Sequence, residues 1–113
     1  DLAPFGQPVL VGGSMGGSSY ILAGVPDNPA LASACHGAGR IMSRTQARKR
    51  FRGRDVLESL RLKGILVRSA DLKGVAEEAP GAYKKGFAVV ASAVAAGLVR
   101  PVARLEPLVC IKG

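Results

Sequence analysis

Glycine sets the first limit on what this chain can become. Fifteen glycines in 113 residues are about twice the ordinary share, and each marks a tight turn, a close backbone approach or the end of a regular segment. Only short elements fit between them. The longest apolar run, Gly86 to Val99, is interrupted by small residues and falls short of the ~20 residues that cross a bilayer, so neither a membrane span nor a membrane partner is expected. A hydrophobic share of 48% excludes disorder over the whole length. The size suits a single segment, residues 1–113, with one core, and is too small for two ordinary domains in series. The chain opens Asp1-Leu2-Ala3-Pro4, without Met and without a basic-then-apolar leader, and reads as cut from a longer polypeptide at its front.

Charge is the second constraint. The net charge is +8, and residues 40 to 73 alone hold 11 Lys/Arg against 3 Asp/Glu, while the rest of the chain balances. One contiguous basic block points to a polyanionic partner more than to general solubility. The two cysteines, Cys35 and Cys110, form no CxxC pair and allow at most one disulfide, which suits a reducing, cytoplasmic setting.

The pattern of elements is α+β, a mixed sheet with several helices. Pro8 to Val11, a glycine-rich loop and Ser19 to Ala23 read as strand, loop, strand. Residues 25–29 form a loop by composition, and Leu31 to Cys35 shows no period. Ala38 to Arg50 has helix propensity throughout, which would set Arg40, Arg44 and Arg48 along one face suited to phosphates or simply to solvent. Asp55 and Glu58 have capping-box spacing ahead of a helix over 55–63 that Gly64 ends. Ile65 to Val67 is a strand, residues 79–83 a rigid loop, and Lys84 to Leu98 a helix with Phe87, Val90, Ala91, Val94 and Leu98 at helical spacing. Val102 to Lys112 closes the chain as one extended strand. Strands and helices do not alternate regularly, which argues against a doubly wound sheet.

The sole histidine lies in Ser33-Ala34-Cys35-His36-Gly37-Ala38-Gly39-Arg40, just ahead of the expected basic helix. A neutral imidazole there could attack phosphorus while the Gly37 to Gly39 backbone and a helix N-terminus hold the phosphate; equally, His36 could only pack or cap. A Cys35/His36 thiol enzyme is disfavoured because adjacent side chains diverge. One His, two distant Cys and no clustered carboxylates make no metal set. The loop Gly12-Gly13-Ser14-Met15-Gly16-Gly17-Ser18-Ser19 could wrap a nucleotide or be a plain turn, and it matches neither a Walker loop nor a dinucleotide-binding fingerprint.

Several of these runs together resemble the RtcB-type RNA-splicing ligases. They are SACHGAGRIMSR over residues 33–44, Gly13-Ser14-Met15-Gly16 with Ser18-Ser19-Tyr20, Glu77-Glu78-Ala79-Pro80-Gly81-Ala82-Tyr83, Val102 to Leu105 and Lys112-Gly113, in the same order and over nearly the whole chain. The resemblance is to the C-terminal, nucleotide-binding part of that family. It implies a ligase that uses GTP and a divalent ion, typically Mn2+, to join an RNA 3′-phosphate or 2′,3′-cyclic phosphate to a 5′-hydroxyl, as in tRNA splicing or RNA repair, on tRNA halves or other broken strands. His36 then matches the guanylylated nucleophile. Gly13, Ser14, Met15, Ser19, Gly37, Ala38, Gly39, Tyr83 and Lys112 match nucleotide contacts, and Arg40 and Arg44 match RNA contacts. The family's metal ligands lie in its N-terminal part, so no metal residue is assigned here and the segment alone, without the remainder of its parent polypeptide, is expected to be inactive. The alternative is a non-catalytic basic RNA-binding module.

Overall fold

The computed structural model describes residues 4–113; the opening Asp1-Leu2-Ala3, part of the run read as a cut front end, lies outside the described residues. The described chain packs as two compact units, each assembled from three separate segments. Unit 1 takes the chain up to Gly13, then Ser18–Ala38 and Lys85–Leu105; unit 2 takes Ser14–Gly17, Gly39–Lys84 and Glu106–Gly113.

Unit 1 is a three-stranded antiparallel sheet with one helix on it. Strand β1 (Pro8–Val11) pairs with β2 (Ser19–Gly24), joined through the glycine loop as the strand-loop-strand pattern requires. On the other side of β2 lies a strand from the end of the chain, Val99–Leu105. Val11, Leu22 and Val99 bury one face against Val90 and Ala93 of the helix Gly86–Ala95, with Val9 and Tyr20 partly covered beside them. Period-two alternation puts Leu10 on the opposite face, where it is 68% exposed.

That helix is shorter than the 84–98 expected, and its inward line is Val90 and Ala93. Phe87, Ala91 and Val94, predicted on the packing face, are exposed. The chain is so rich in apolar small residues here that every face carries some, and the period alone does not select one. Between β2 and the SACHG run, Leu31 and Ala32 adopt left-handed φ of 54° and 57°, which explains the missing period at 31–35. Asn28 holds this loop: its amide donates to the Ser33 carbonyl (2.9 Å) and the Leu98 carbonyl (3.0 Å), and its side-chain oxygen accepts from Ala30 N (2.7 Å).

Unit 2 packs helices α1 (Arg44–Arg50), α2 (Gly53–Leu62) and α3 (Leu72–Glu77) beside a two-stranded parallel sheet of β3 (Leu66–Ser69) and the final strand Val109–Lys112. In chain order the unit 1 helix is α4, its last strand β4, and the final strand β5. The core of unit 2 is Met15, Val56, Leu60, Ile65, Val75 and Ala79. Antiparallel and parallel pairing therefore both occur, in separate sheets, within an α+β fold.

Three local expectations are corrected. The helix predicted over 38–50 begins only at Arg44, because Ser43 caps it: its hydroxyl accepts from Gln46 N (3.2 Å) while the Gln46 side chain accepts from Ser43 N (2.8 Å), a capping box that marks a true start. Arg40 is consequently not on the helix, and no helix N-terminus directly follows His36. The Asp55/Glu58 box does not form. Arg52 occupies the N-cap of α2 without a side-chain bond, and Glu58 pairs with Arg61 at 2.7 and 2.9 Å. Gly64 does end the turn, with φ of 77°. The closing strand is two strands, β4 and β5, parted by Glu106 to Leu108; β4 pairs antiparallel with β2 and β5 pairs parallel with β3, in a different sheet. The α3 helix, capped by Asp71 onto Gly74 N (2.5 Å), and the 3-10 turn Pro80–Ala82 were not anticipated as regular elements.

Candidate functional site

In unit 1, the SACHG run is tied to the glycine loop through the main chain. Gly12 N donates to the His36 carbonyl (3.2 Å), and Gly12 and Gly37 form an isolated parallel bridge. This fixes the backbone at His36 and leaves its imidazole exposed. Cys35 points the other way, packed at the edge of the sheet-helix core, and is a free thiol; the two neighbours diverge, as their adjacency demands. Among the described residues, and apart from each glycine's own chain neighbours, nothing lies within 4 Å of where a side chain would begin at Gly12 or Gly37, so among those residues there is room for a group to approach on both sides of the bridge. Ser19 also belongs here: its hydroxyl oxygen accepts from Gly13 N (3.0 Å), leaving the O–H free to donate. Ala38 is buried and offers only its backbone.

Unit 2 holds the remaining residues the sequence singled out. Ser14 opens a tight turn, its carbonyl accepting from Gly17 N (3.1 Å). Met15, assigned above to the nucleotide, is 1% exposed in the core. Its side chain is occupied there, and its carbonyl accepts from Cys110 Sγ at 3.4 Å. Gly39 has φ of 76°, a conformation open to glycine and strained for most side chains, and its carbonyl accepts from Lys84 N while Ile41 N donates to the Ala82 carbonyl, both at 2.9 Å. These two bonds make the antiparallel bridge between Arg40 and Tyr83 and set their side chains together.

What results is a polar cluster around two glutamates. The Arg40 guanidinium lies 4.6 Å from the centroid of the Tyr83 ring. It donates through Nε to the Met42 carbonyl (3.0 Å), through Nη2 to the Glu77 carbonyl (2.5 Å) and through Nη1 to the Tyr83 hydroxyl (2.8 Å), with Glu78 Oε1 at 3.4 Å. Its side chain is only 22% exposed. Arg40 therefore serves as an internal clamp in this structure, with its guanidinium engaged by Met42, Glu77, Glu78 and Tyr83. Arg44, the first residue of α1, is 66% exposed and reaches Glu78 Oε1 at 3.3 Å and Glu77 Oε2 at 3.9 Å; Arg48, one turn on, meets Glu77 Oε1 at 3.4 Å. The Tyr83 hydroxyl donates to Glu78 Oε2.

Burial by itself would raise the Glu78 carboxyl, but the Tyr83 hydrogen bond and the charges of Arg40, Lys112 and Arg44 outweigh it and hold the group below its ordinary range. Burial, then the bond to Glu78, push the Tyr83 phenol up. Lys112, on β5 opposite Ser69, thus joins the same electrostatic group. Sequence reasoning saw Glu77 and Glu78 only as part of a matching motif. The signal that could have drawn them out is two adjacent carboxylates beside a strongly basic block, which need cations to be even partly buried. Among the described residues, no three His, Cys, Asp or Glu side chains converge as a metal set, and no described helix is long and apolar enough to cross a membrane.

A family model described as tRNA-splicing ligase RtcB matches residues 1–113. A protein named RNA-splicing ligase RtcB from Mycobacterium tuberculosis is 50% identical over 113 residues, all of this chain and 26% of that protein. Proteins named tRNA-splicing ligase RtcB are 48% identical over 110 residues in Thermococcus kodakarensis, 96% of this chain and 23% of that protein, and 49% identical over 109 residues in Methanopyrus kandleri, 95% and 11% respectively. The chain spans about a quarter or less of the length of these relatives.

Proposed function

The chain belongs to the RtcB family, and from that premise we propose that it carries the nucleotide- and RNA-handling residues of a GTP-dependent RNA ligase that joins 3′-phosphate or 2′,3′-cyclic phosphate ends to 5′-hydroxyl ends. The observation that carries the reading is the exposed His36 imidazole beside a bridged, unobstructed Gly12–Gly37 main chain. A nucleophile that must meet an α-phosphorus needs exposure, a fixed backbone and room for the incoming phosphate, and these three coincide at His36.

GTP supplies an activated guanylyl group with pyrophosphate as leaving group. His36 accepts that group on an imidazole nitrogen and passes it to the RNA 3′-phosphate, after which the 5′-hydroxyl displaces GMP. Gly37, Ala38 and Gly39 offer backbone to the nucleotide, Gly13, Ser14 and Ser19 their loop groups, Tyr83 its ring, and Lys112 its ammonium. Arg44, more exposed than the other arginines of the cluster, is the residue suited to an RNA phosphate. Among the described residues no three His, Cys, Asp or Glu side chains converge on a metal set, so Mn2+ would draw its ligands from elsewhere in the polypeptide.

The test is incubation of the full-length gene product with α-labelled GTP and Mn2+. Label transfer that His36→Ala abolishes supports the reading. Retained RNA binding with no labelling of the unaltered protein overturns it in favour of a non-catalytic RNA-binding module, for which the basic α1–α2 segment would suffice.

A further inference from the structure

Glu78 gathers Tyr83, Arg40 and Arg44 around one carboxylate in unit 2. Tyr83 donates its hydroxyl to one carboxylate oxygen, and Arg40 and Arg44 meet the other at 3.4 and 3.3 Å. Glu77 beside it turns instead toward Arg48. Two guanidinium groups drawn to one carboxylate stay close only while that group is charged; a neutral amide in its place would leave Arg40 and Arg44 to repel one another and would offer Tyr83 and Arg40 competing donors.

We propose that Glu78 is a positioning residue of the guanine-nucleotide site: without touching nucleotide or RNA, it sets the Tyr83 ring where the nucleotide meets it. This inference rests on the RNA-ligase reading above, and it adds a residue to that reading. Arg40 is the brace in the arrangement, since it spans the Tyr83 ring, the Tyr83 hydroxyl and Glu78 together. A purely structural Glu78 would hold unit 2 together. A positioning Glu78 does something further, because the groups it orders are those that bind.

The two roles separate kinetically. Loss of structure lowers the active fraction and with it the saturating rate, leaving KM unchanged, whereas misplaced binding groups raise KM. In the full-length gene product with α-labelled GTP and Mn2+, Glu78→Gln is expected to raise the KM for GTP in guanylylation about tenfold, the size expected for one lost charge-assisted hydrogen bond, with the saturating rate within about twofold. Tyr83→Phe, which keeps the ring and Glu78 and removes only the bond between them, should shift KM the same way by less. Glu58→Gln, whose carboxylate pairs with Arg61 on an exposed face of α2, should leave both constants unchanged. A normal KM in Glu78→Gln, or a reduced saturating rate with normal KM, overturns the proposal while leaving the ligase reading intact. Should Glu78→Gln fail to fold, an unchanged KM in Tyr83→Phe overturns it just as well. An unaltered protein that takes no label removes the ligase reading and this inference with it.

Discussion

Met15 lies in the middle of the glycine loop that reads as a nucleotide wrap or a plain turn, and its side chain is 1% exposed and packs with Val56, Leu60, Ile65, Val75 and Ala79. A thioether held on all sides by aliphatic carbon contributes by filling volume, which predicts a particular pattern of substitution. Met15→Ala removes three heavy atoms from a closed site and should cost about 2–5 kcal/mol, the transfer term plus the cavity left behind. Collapse of neighbours into that space is limited, because Gly16 already brings the loop against Leu60 and Pro80, so the upper half of the range is expected. Met15→Leu nearly conserves volume and should cost less than about 1.5 kcal/mol. A residue that touched the nucleotide through its side chain would behave differently: Met15→Leu would then raise the KM for GTP with little change in stability. Thermal unfolding of the full-length protein, read beside guanylylation kinetics, separates the two. Normal stability in Met15→Ala, or a raised KM in Met15→Leu, would refute the assignment of this side chain to the core.

Arg40→Lys keeps the charge but loses the fork and the ring contact; it should destabilise unit 2 by about 1–3 kcal/mol without changing the salt slope of RNA binding, and a flattened slope would return Arg40 to the RNA. Arg44→Ala should weaken RNA joining and lower that slope by about 0.7–0.9, one phosphate contact, while labelling of His36 continues; loss of labelling would move Arg44 to the nucleotide. Glu78 and Tyr83 predict opposite pH limits. Glu78, held below its ordinary range by its partners, contributes stability that is complete above that range and is lost as pH falls through its lowered value. Tyr83, pushed up, contributes stability that is complete below the ordinary tyrosine range and is lost as pH rises through its raised value. Unfolding midpoints across pH provide the check: Glu78→Gln should erase the acid limb and weaken the alkaline one, and Tyr83→Phe the reverse, because each shift depends in part on the other group.

What could be read from the one-dimensional chain were the features set by local chemistry. Strands β1 and β2 follow from β-branched residues on either side of a glycine loop, the α2 stop from Gly64, the basic block from simple counting, and the family from motifs that keep their order along the chain. The divergence of Cys35 from His36 was also local, since neighbouring side chains in an extended run point apart. The start of α1 could have been found too, because Ser43 and Gln46 carry capping-box spacing, but good helix formers on both sides masked it.

Other properties depend on residues far apart in sequence, and only the tertiary structure decided them. Whether Arg40 faces solvent or braces Tyr83 turns on a bridge closed 43 residues away, and whether Met15 greets a ligand or fills a core turns on α2, α3 and β3 arriving around it. The face of α4 that is buried was settled by β1, β2 and β4, because a helix apolar on every side has no preferred inward face of its own. Propensity and spacing act within a turn or two of helix, whereas desolvation and ion pairing act between whatever the fold brings within a few ångströms. The roles of Glu78, Arg40 and Met15 belong to that second kind of force.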